Sequence, residues 1–187
     1  RSYEDVLPFF RKAQNRQKGA NEFHGIGGPL SVSPPRSPNP LNDTFIQAGV
    51  ECQIPRNDDF NGATQEGIGF YELTQDNGRR CSTAHAYLTP AKNRENLTIF
   101  KRSIAEKVMI ENGRAIAVRA KIDGRAQIIR ANKEVILSCG AFQSPQLLLL
   151  SGIGPKSKLE EHKIDQVLEL PGVGENLTDH LDYSLIY

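Results

Sequence analysis

Two dipeptides constrain this chain more than any other feature: Asn112-Gly113 and Asp123-Gly124. Each is flanked by runs rich in Val, Ile and Ala, namely IAEKVMIE, RAIAVRAKI and AQIIR. A two-residue hairpin turn of the twist that suits β-strands needs positive φ at both positions, and Asn-Gly and Asp-Gly meet that need at low cost. The spacing therefore predicts a β-meander of three or four strands beginning near residue 96. A further run, EVILSCG (134–140), is almost wholly apolar. It reads as a strand buried on both faces of a parallel sheet. The run FQSPQLLLLSG follows, and it reads as a buried helix with Ser144 as N-cap, Pro145 at the first helical position and Gly152 as the stop. LEEHKI reads as another short helix, and LPGVGENLTDHL as a loop.

The amino-terminal half has a different texture. Residues 3–17 read as a helix containing Pro8, and 18–40 as a Gly- and Pro-rich loop in which PLSVS is a short strand. LNDTFIQAGVECQ has helical spacing, with Leu41, Phe45, Ile46 and Val50 on one side and Asn42 or Asp43 as cap. Residues 55–69 form a loop with a turn at Asn61-Gly62. FYELTQ reads as a strand, DNGRR as a turn, and STAHAYL as a short helix ending near Thr89, before Pro90. The expected class is α/β with mixed α+β character.

Composition removes several functions. The chain has 187 residues and a net charge of +1, which argues against a nucleic-acid partner. No apolar run approaches the ~20 residues of a membrane-spanning helix. The three cysteines, Cys52, Cys81 and Cys139, are widely spaced and contain no CxxC, so neither a zinc site nor a disulfide framework is expected. His24, His85 and His162 have no metal spacing, and Ser144 and Ser151 lie outside any GxSxG elbow. His180 beside Asp179 could serve as a base, but adjacency alone does not make two side chains face each other. Gly140 stands at the carboxyl end of the expected strand, where α/β sheets bind ligands, and a helix N-terminus there favours an anion. On spacing alone a plain strand-to-helix turn with no ligand is slightly the better reading.

The stretch GAFQSPQLLLLSGIG (140–154) resembles the second signature of the glucose–methanol–choline (GMC) flavoprotein oxidoreductases: Gly140, Ala141, Ser144, Pro145, Leu147, Leu148, Ser151, Gly152, Ile153 and Gly154 all match. HGIGGPLSV (24–32), the stretch from Asp59 to Ile99, KEVILSCGA and PGVGENLTDHL are similar to further family segments, in the same order. The wording is closest to bacterial choline-dehydrogenase-like and alcohol-dehydrogenase-like members. The resemblance implies a partial FAD-binding Rossmann-like domain with its β-meander, plus part of an α+β substrate-binding domain. It implies four segments: a helix and linking loop at 1–29, substrate domain at 30–95, FAD domain at 96–170 and a return toward the substrate domain at 171–187.

It also implies FAD as cofactor, a small alcohol as substrate, choline-like or otherwise, and oxygen or a quinone-like acceptor for the electrons. Ala105 aligns with a position whose backbone meets the adenine. Cys139, Gly140 and Ala141 align beside the ADP part of FAD. Asn176, Asp179 and His180 fall in a family-typical loop, in supporting roles. The family's GxGxxG fingerprint and its catalytic His with a His or Asn partner have no match here. The resemblance therefore implies a central fragment, inert alone, of an enzyme. With no targeting signal in the sequence, the expected location is the cytoplasm or the periphery of the inner membrane. A non-catalytic protein of the same fold is the alternative, and a cyanohydrin lyase a third reading.

Overall fold

The computed structural model describes residues 2–184. The chain forms two compact units, Arg1–Thr98 and Ile99–Tyr187.

Unit 1 begins with helix α1 (Tyr3–Ala13), started by a capping box in which the Ser2 hydroxyl accepts from Asp5 N–H and Asp5 accepts from Ser2 N–H. The predicted helix stops four residues early. Gln14–Arg16 leaves it as strand β1 and pairs in parallel with β2 (Leu30–Val32), which lies within the predicted PLSVS. The intervening HGIGG segment turns back against the end of α1. A Cβ at Gly25 would overlap the Arg11 carbonyl, and one at Gly28 the carbonyls of Lys12 and Ala13. Both glycines are therefore required by close approach rather than by turn chemistry.

Helix α2 (Pro40–Glu51) starts three residues before the expected cap. Asn39 Oδ1 accepts Leu41 N–H at 3.0 Å, and Pro40, which has no amide hydrogen to satisfy, takes the first helical position. Of its apolar side only Ile46 is buried. FYELTQ is not a continuous strand. Leu73 forms a single antiparallel bridge to Ser33, and the ladder resumes as the hairpin β3 (Gln75–Asp76) and β4 (Arg79–Arg80) around Asn77-Gly78. The next helix runs through Pro90 rather than stopping at Thr89. A π-helical turn over Ala84–Leu88, closed by Thr89 N–H on Ala84 O, leads into the short α3 (Thr89–Ala91), so Pro90 sits where its missing N–H is harmless.

Unit 2 is built on the meander, and both predicted turns are present. β5 (Ser103–Glu111), β6 (Arg114–Ile122) and β7 (Arg125–Arg130) form an antiparallel sheet in that order. Asn112, Gly113, Asp123 and Gly124 have φ of 50°, 74°, 46° and 81°, the conformation the dipeptides forecast. The central strand β6 supplies three of the buried residues, Ala117, Ala120 and Ile122. Helix α4 (Gly140–Leu150) lies against β5. A two-residue parallel pair, β8 (Ile153–Gly154) with β9 (Leu168–Glu169), encloses helix α5 (Lys156–Glu161), whose Leu159 is 1% exposed.

The run 134–138 is not a strand: it has no ladder partner among the described residues, and Ile136 is 75% exposed. An apolar strand signal records what a sequence is suited to cover; a ladder needs a neighbour, and the described residues contain none beside it.

Candidate functional site

The residues marked out for a nucleotide lie on unit 2. Helix α4 begins four residues earlier than Ser144. Cys139 is its N-cap, and Gly140, at φ 90°, turns the chain into the helix. Ser144 does act as a cap, from inside the helix: its hydroxyl accepts Cys139 N–H at 3.0 Å. Pro145 therefore sits mid-helix and leaves the Ala141 carbonyl without its usual i+4 amide. The amides of Gly140, Ala141 and Phe142 belong to the first turn and have no acceptor within the helix. Cys139, Gly140 and Ala141 are all exposed. A Cβ built on Gly140 would meet nothing within 4 Å among the described residues, so its surroundings leave the main chain open to a ligand.

Beside this turn is a cavity of about 600 Å³ between α4 (Ala141, Phe142, Pro145, Leu149) and the segment 172–178. That volume lies in the range of small-molecule and cofactor sites, ~300–1,000 Å³. Asn176, at φ 54°, and Thr178 line it, whereas His180 is exposed and donates its backbone amide to Asp179 Oδ1. Ala105 stands on the outer strand β5 opposite Ala120, at the start of a β-bulge that ends at Lys107. No hydrogen bond among the described residues joins it to Cys139–Ala141.

At the far end of α4 the Leu run closes on Ser151, which is fully buried. Its Oγ donates to Leu147 O at 2.6 Å and accepts Val108 N–H at 2.8 Å. The hydroxyl thus supplies the acceptor that another strand would have offered to the outer side of β5. Gly152, at φ 82°, then ends the helix as expected. Only Leu147 of the four leucines is buried.

Unit 1 contains a cluster that sequence reasoning missed. Arg16 Nε binds Glu72 Oε2 at 2.7 Å and Arg16 Nη2 binds Asp59 Oδ2 at 3.2 Å. His24 Nε2 lies 2.9 Å from the same Asp59 oxygen, and Lys18 Nζ 3.6 Å from Glu72 Oε1. Arg16 and His24 are buried, and the Glu72 side chain is 8% exposed. The partners lie up to 56 residues apart in sequence, so no local pattern announces them. The only signal was that His24 and Asp59 each open a Gly-containing motif, HGIGG and DFNG. Among the described residues no group of His, Cys, Asp and Glu is arranged to hold a metal ion.

A sequence model of the family described as GMC oxidoreductase matches residues 1–182. The chain belongs to the GMC oxidoreductase family. Among curated relatives, "Oxygen-dependent choline dehydrogenase" of Pectobacterium atrosepticum is 46% identical over 188 residues, covering 100% of this chain and 34% of that protein. The Pseudomonas fluorescens protein of the same description is 48% identical over 190 residues, again covering 100% and 34%. Among solved structures, pyridoxine 4-oxidase from Mesorbium loti superposes with a TM-score of 0.83 at 31% identity, covering 91% of this chain and 34% of that one. An FAD-dependent oxidoreductase from Chaetomium thermophilum gives 0.85 at 25% identity, covering 95% and 33%. The GMC chain described here thus spans about a third of the length of the curated relatives it matches. The mixed α/β architecture expected from the signature is that of these family structures.

Proposed function

We propose that this chain is part of an FAD-dependent oxidoreductase that oxidises the CH–OH group of a small alcohol, choline-like in class, and that unit 2 holds the nucleotide half of the cofactor. What supports the reading most is the turn at Cys139–Ala141, where the family's long signature begins: a positive-φ glycine, free first-turn amides and an adjoining cavity. The donor set fits the group. Free amides at the start of an 11-residue helix favour the negative charge of a phosphate. Gly140, lacking a Cβ, lets a phosphate or ribose reach the main chain. In this reading Cys139, Gly140 and Ala141 hold the ADP part and the Ala105 backbone meets the adenine edge. When bound, FAD supplies the acceptor for the hydride that an alcohol gives up on becoming a carbonyl.

The remaining work of the described residues is positional. Leu147 and Ser151 fix α4 on β5, so the turn at its start keeps its orientation. None of Cys139, Gly140, Ala141 or Ala105 is a base, and the group that takes the hydroxyl proton is proposed to lie outside this chain. The domain assignment follows the same reading, with 30–95 in the substrate domain and 96–170 in the FAD domain.

The test uses the full-length polypeptide loaded with FAD. Flavin absorbance should remain through gel filtration, and anaerobic addition of choline or a simple primary alcohol should bleach it. Gly140→Val should weaken flavin retention at least tenfold. Retained flavin that no alcohol bleaches would leave a non-catalytic GMC protein, and loss of flavin from the wild-type polypeptide would overturn the assignment.

A further inference from the structure

One edge of the meander is closed and the other is open. On β5 the outward amide of Val108 is taken by Ser151 Oγ. On β7 the ladder to β6 alternates, and the bond from Ala131 N–H to Ile116 O fixes its phase: Arg125, Gln127 and Ile129 turn their main-chain groups toward β6. Ala126, Ile128 and Arg130 turn theirs away, and nothing among the described residues bonds these N–H and C=O groups. A row of free donors and acceptors of this kind is a template for a further strand.

The open edge is also charged. Residues 101–133 carry nine Lys and Arg against three Asp and Glu, so the meander is a basic surface within a nearly neutral chain. The register puts Lys107, Arg119, Lys121 and Arg130 on one face of the sheet, together with Ile104 and Ile128, which are 68% and 59% exposed. Lys107 stands directly opposite Arg119, and like charges so opposed weaken a ladder. Glu106, 3.3 Å from Arg119 Nε, answers one of the four cations. Lys107, Lys121 and Arg130 have no acidic partner among the described residues. The edge lacks hydrogen bonds and the face lacks counter-charge, and one occupant can supply both.

We propose that β7 is a docking edge for an extended acidic segment of a partner protein, which adds to the sheet as a fourth strand. Main-chain hydrogen bonds to Ala126, Ile128 and Arg130 give such a strand its register, and its alternate side chains fall on the charged face. Opposite Arg130, an acidic residue forms an ion pair. Opposite Ile128, an apolar residue covers part of the exposed side chain. Opposite Ala126, a second acidic residue meets Lys121, which reaches over the small alanine from the strand behind. The pattern wanted is acidic–x–apolar–x–acidic, and it reads the same in either strand direction. A second copy of this chain is a poor occupant, because it brings further cations to a face already short of negative charge. A nucleic acid or an anionic membrane meets the charge but offers no main chain to extend the ladder.

The experiment titrates the full-length polypeptide into a fluorescein-labelled heptapeptide and follows anisotropy. Two glutamates flank a valine at alternate positions of the peptide, with threonines between and outside them. Binding should saturate below about 1 mM and weaken as salt is raised. Methylating the backbone nitrogens of the glutamates and the valine removes the donors that face β7 and should weaken binding about tenfold or more. Lys121→Glu combined with Arg130→Glu should abolish binding of this peptide and confer binding of its lysine counterpart, a reversal that an unfolded variant would not give. Hydrogen exchange at Ala126, Ile128 and Arg130 should slow when the acidic peptide is present. Three results overturn strand docking: no saturation, a methylated peptide bound as tightly as its parent, or heparin or phosphatidylserine vesicles slowing exchange at those three amides as much as the peptide does.

Discussion

Ser151→Ala isolates one hydroxyl at a fully buried position. Two hydrogen bonds go with it, and they are not equivalent. Leu147 O still accepts Ser151 N–H at 3.1 Å, so that carbonyl stays satisfied. Val108 N–H loses its partner: it points away from β6, and Ser151 Oγ at 2.8 Å is its acceptor. A buried amide left unpaired costs about 1–3 kcal/mol, and the void left by one oxygen adds little. The expected loss is therefore about 2 kcal/mol, roughly thirtyfold in the unfolding equilibrium. Denaturant unfolding of wild type and variant gives the global number. Amide exchange gives the local one: Val108 should lose protection more than Ala117 on the neighbouring strand. A variant within about 0.5 kcal/mol of wild type, with Val108 as protected as before, would refute the claim that this hydroxyl holds the edge of β5.

Further outcomes follow from other contacts. Gly25→Ala should lower stability by about 3 kcal/mol or more in a thermal melt, because the new methyl meets the Arg11 backbone carbonyl rather than a flexible side chain. Arg16→Ala, which leaves the buried Glu72 only its longer contact with Lys18 and removes one partner of Asp59, should cost about 3 kcal/mol, whereas Arg102→Ala, whose pairing with Asp123 is exposed, should cost less than about 1 kcal/mol. Leu159→Ala, at 1% exposure, should cost about 2–4 kcal/mol by the same assay. The carboxyl of Glu4 is held below its usual range by its own backbone amide and then by the Ser2 hydroxyl. Its support for α1 is complete above the ordinary carboxylate range and fades as pH falls through the lowered value, so protection at the start of α1, corrected for the intrinsic pH dependence of exchange, should fall on acidification.

The elements most legible in the sequence were those specified by neighbours along the chain. Asn112-Gly113 and Asp123-Gly124 set their own φ values, and Gly152 ends a helix because it alone accepts the left-handed turn cheaply. The start of α4 was misjudged for a related reason. Ser-Pro is a strong local signal for a helix start, but Gly140 had already turned the chain, and Ser144 reaches back to Cys139 from within. The run 134–138 was misjudged because burial is a property of neighbours as well as of the run itself. Distance in sequence hid the ion cluster: Arg16, His24, Asp59 and Glu72 are ordinary polar residues until the chain brings them together. Of the proposed nucleotide residues, spacing pointed only to Gly140 at a strand-to-helix turn. Cys139, Ala141 and Ala105 came from the resemblance to the family, Ala105 by alignment through its own strand, since an exposed alanine carries no chemical mark of its own.

The Ser151 contact has a bearing on self-association. An outer strand such as β5 ordinarily invites a strand from another molecule to extend the sheet. Around Val108 that invitation is withdrawn, because the amide an incoming strand would need already belongs to the end of α4. A neighbouring copy could pair there only by first lifting the helix, so fibrous growth through β5 requires partial unfolding. A substitution at Ser151 would then raise the tendency to aggregate beyond what its loss of stability alone accounts for.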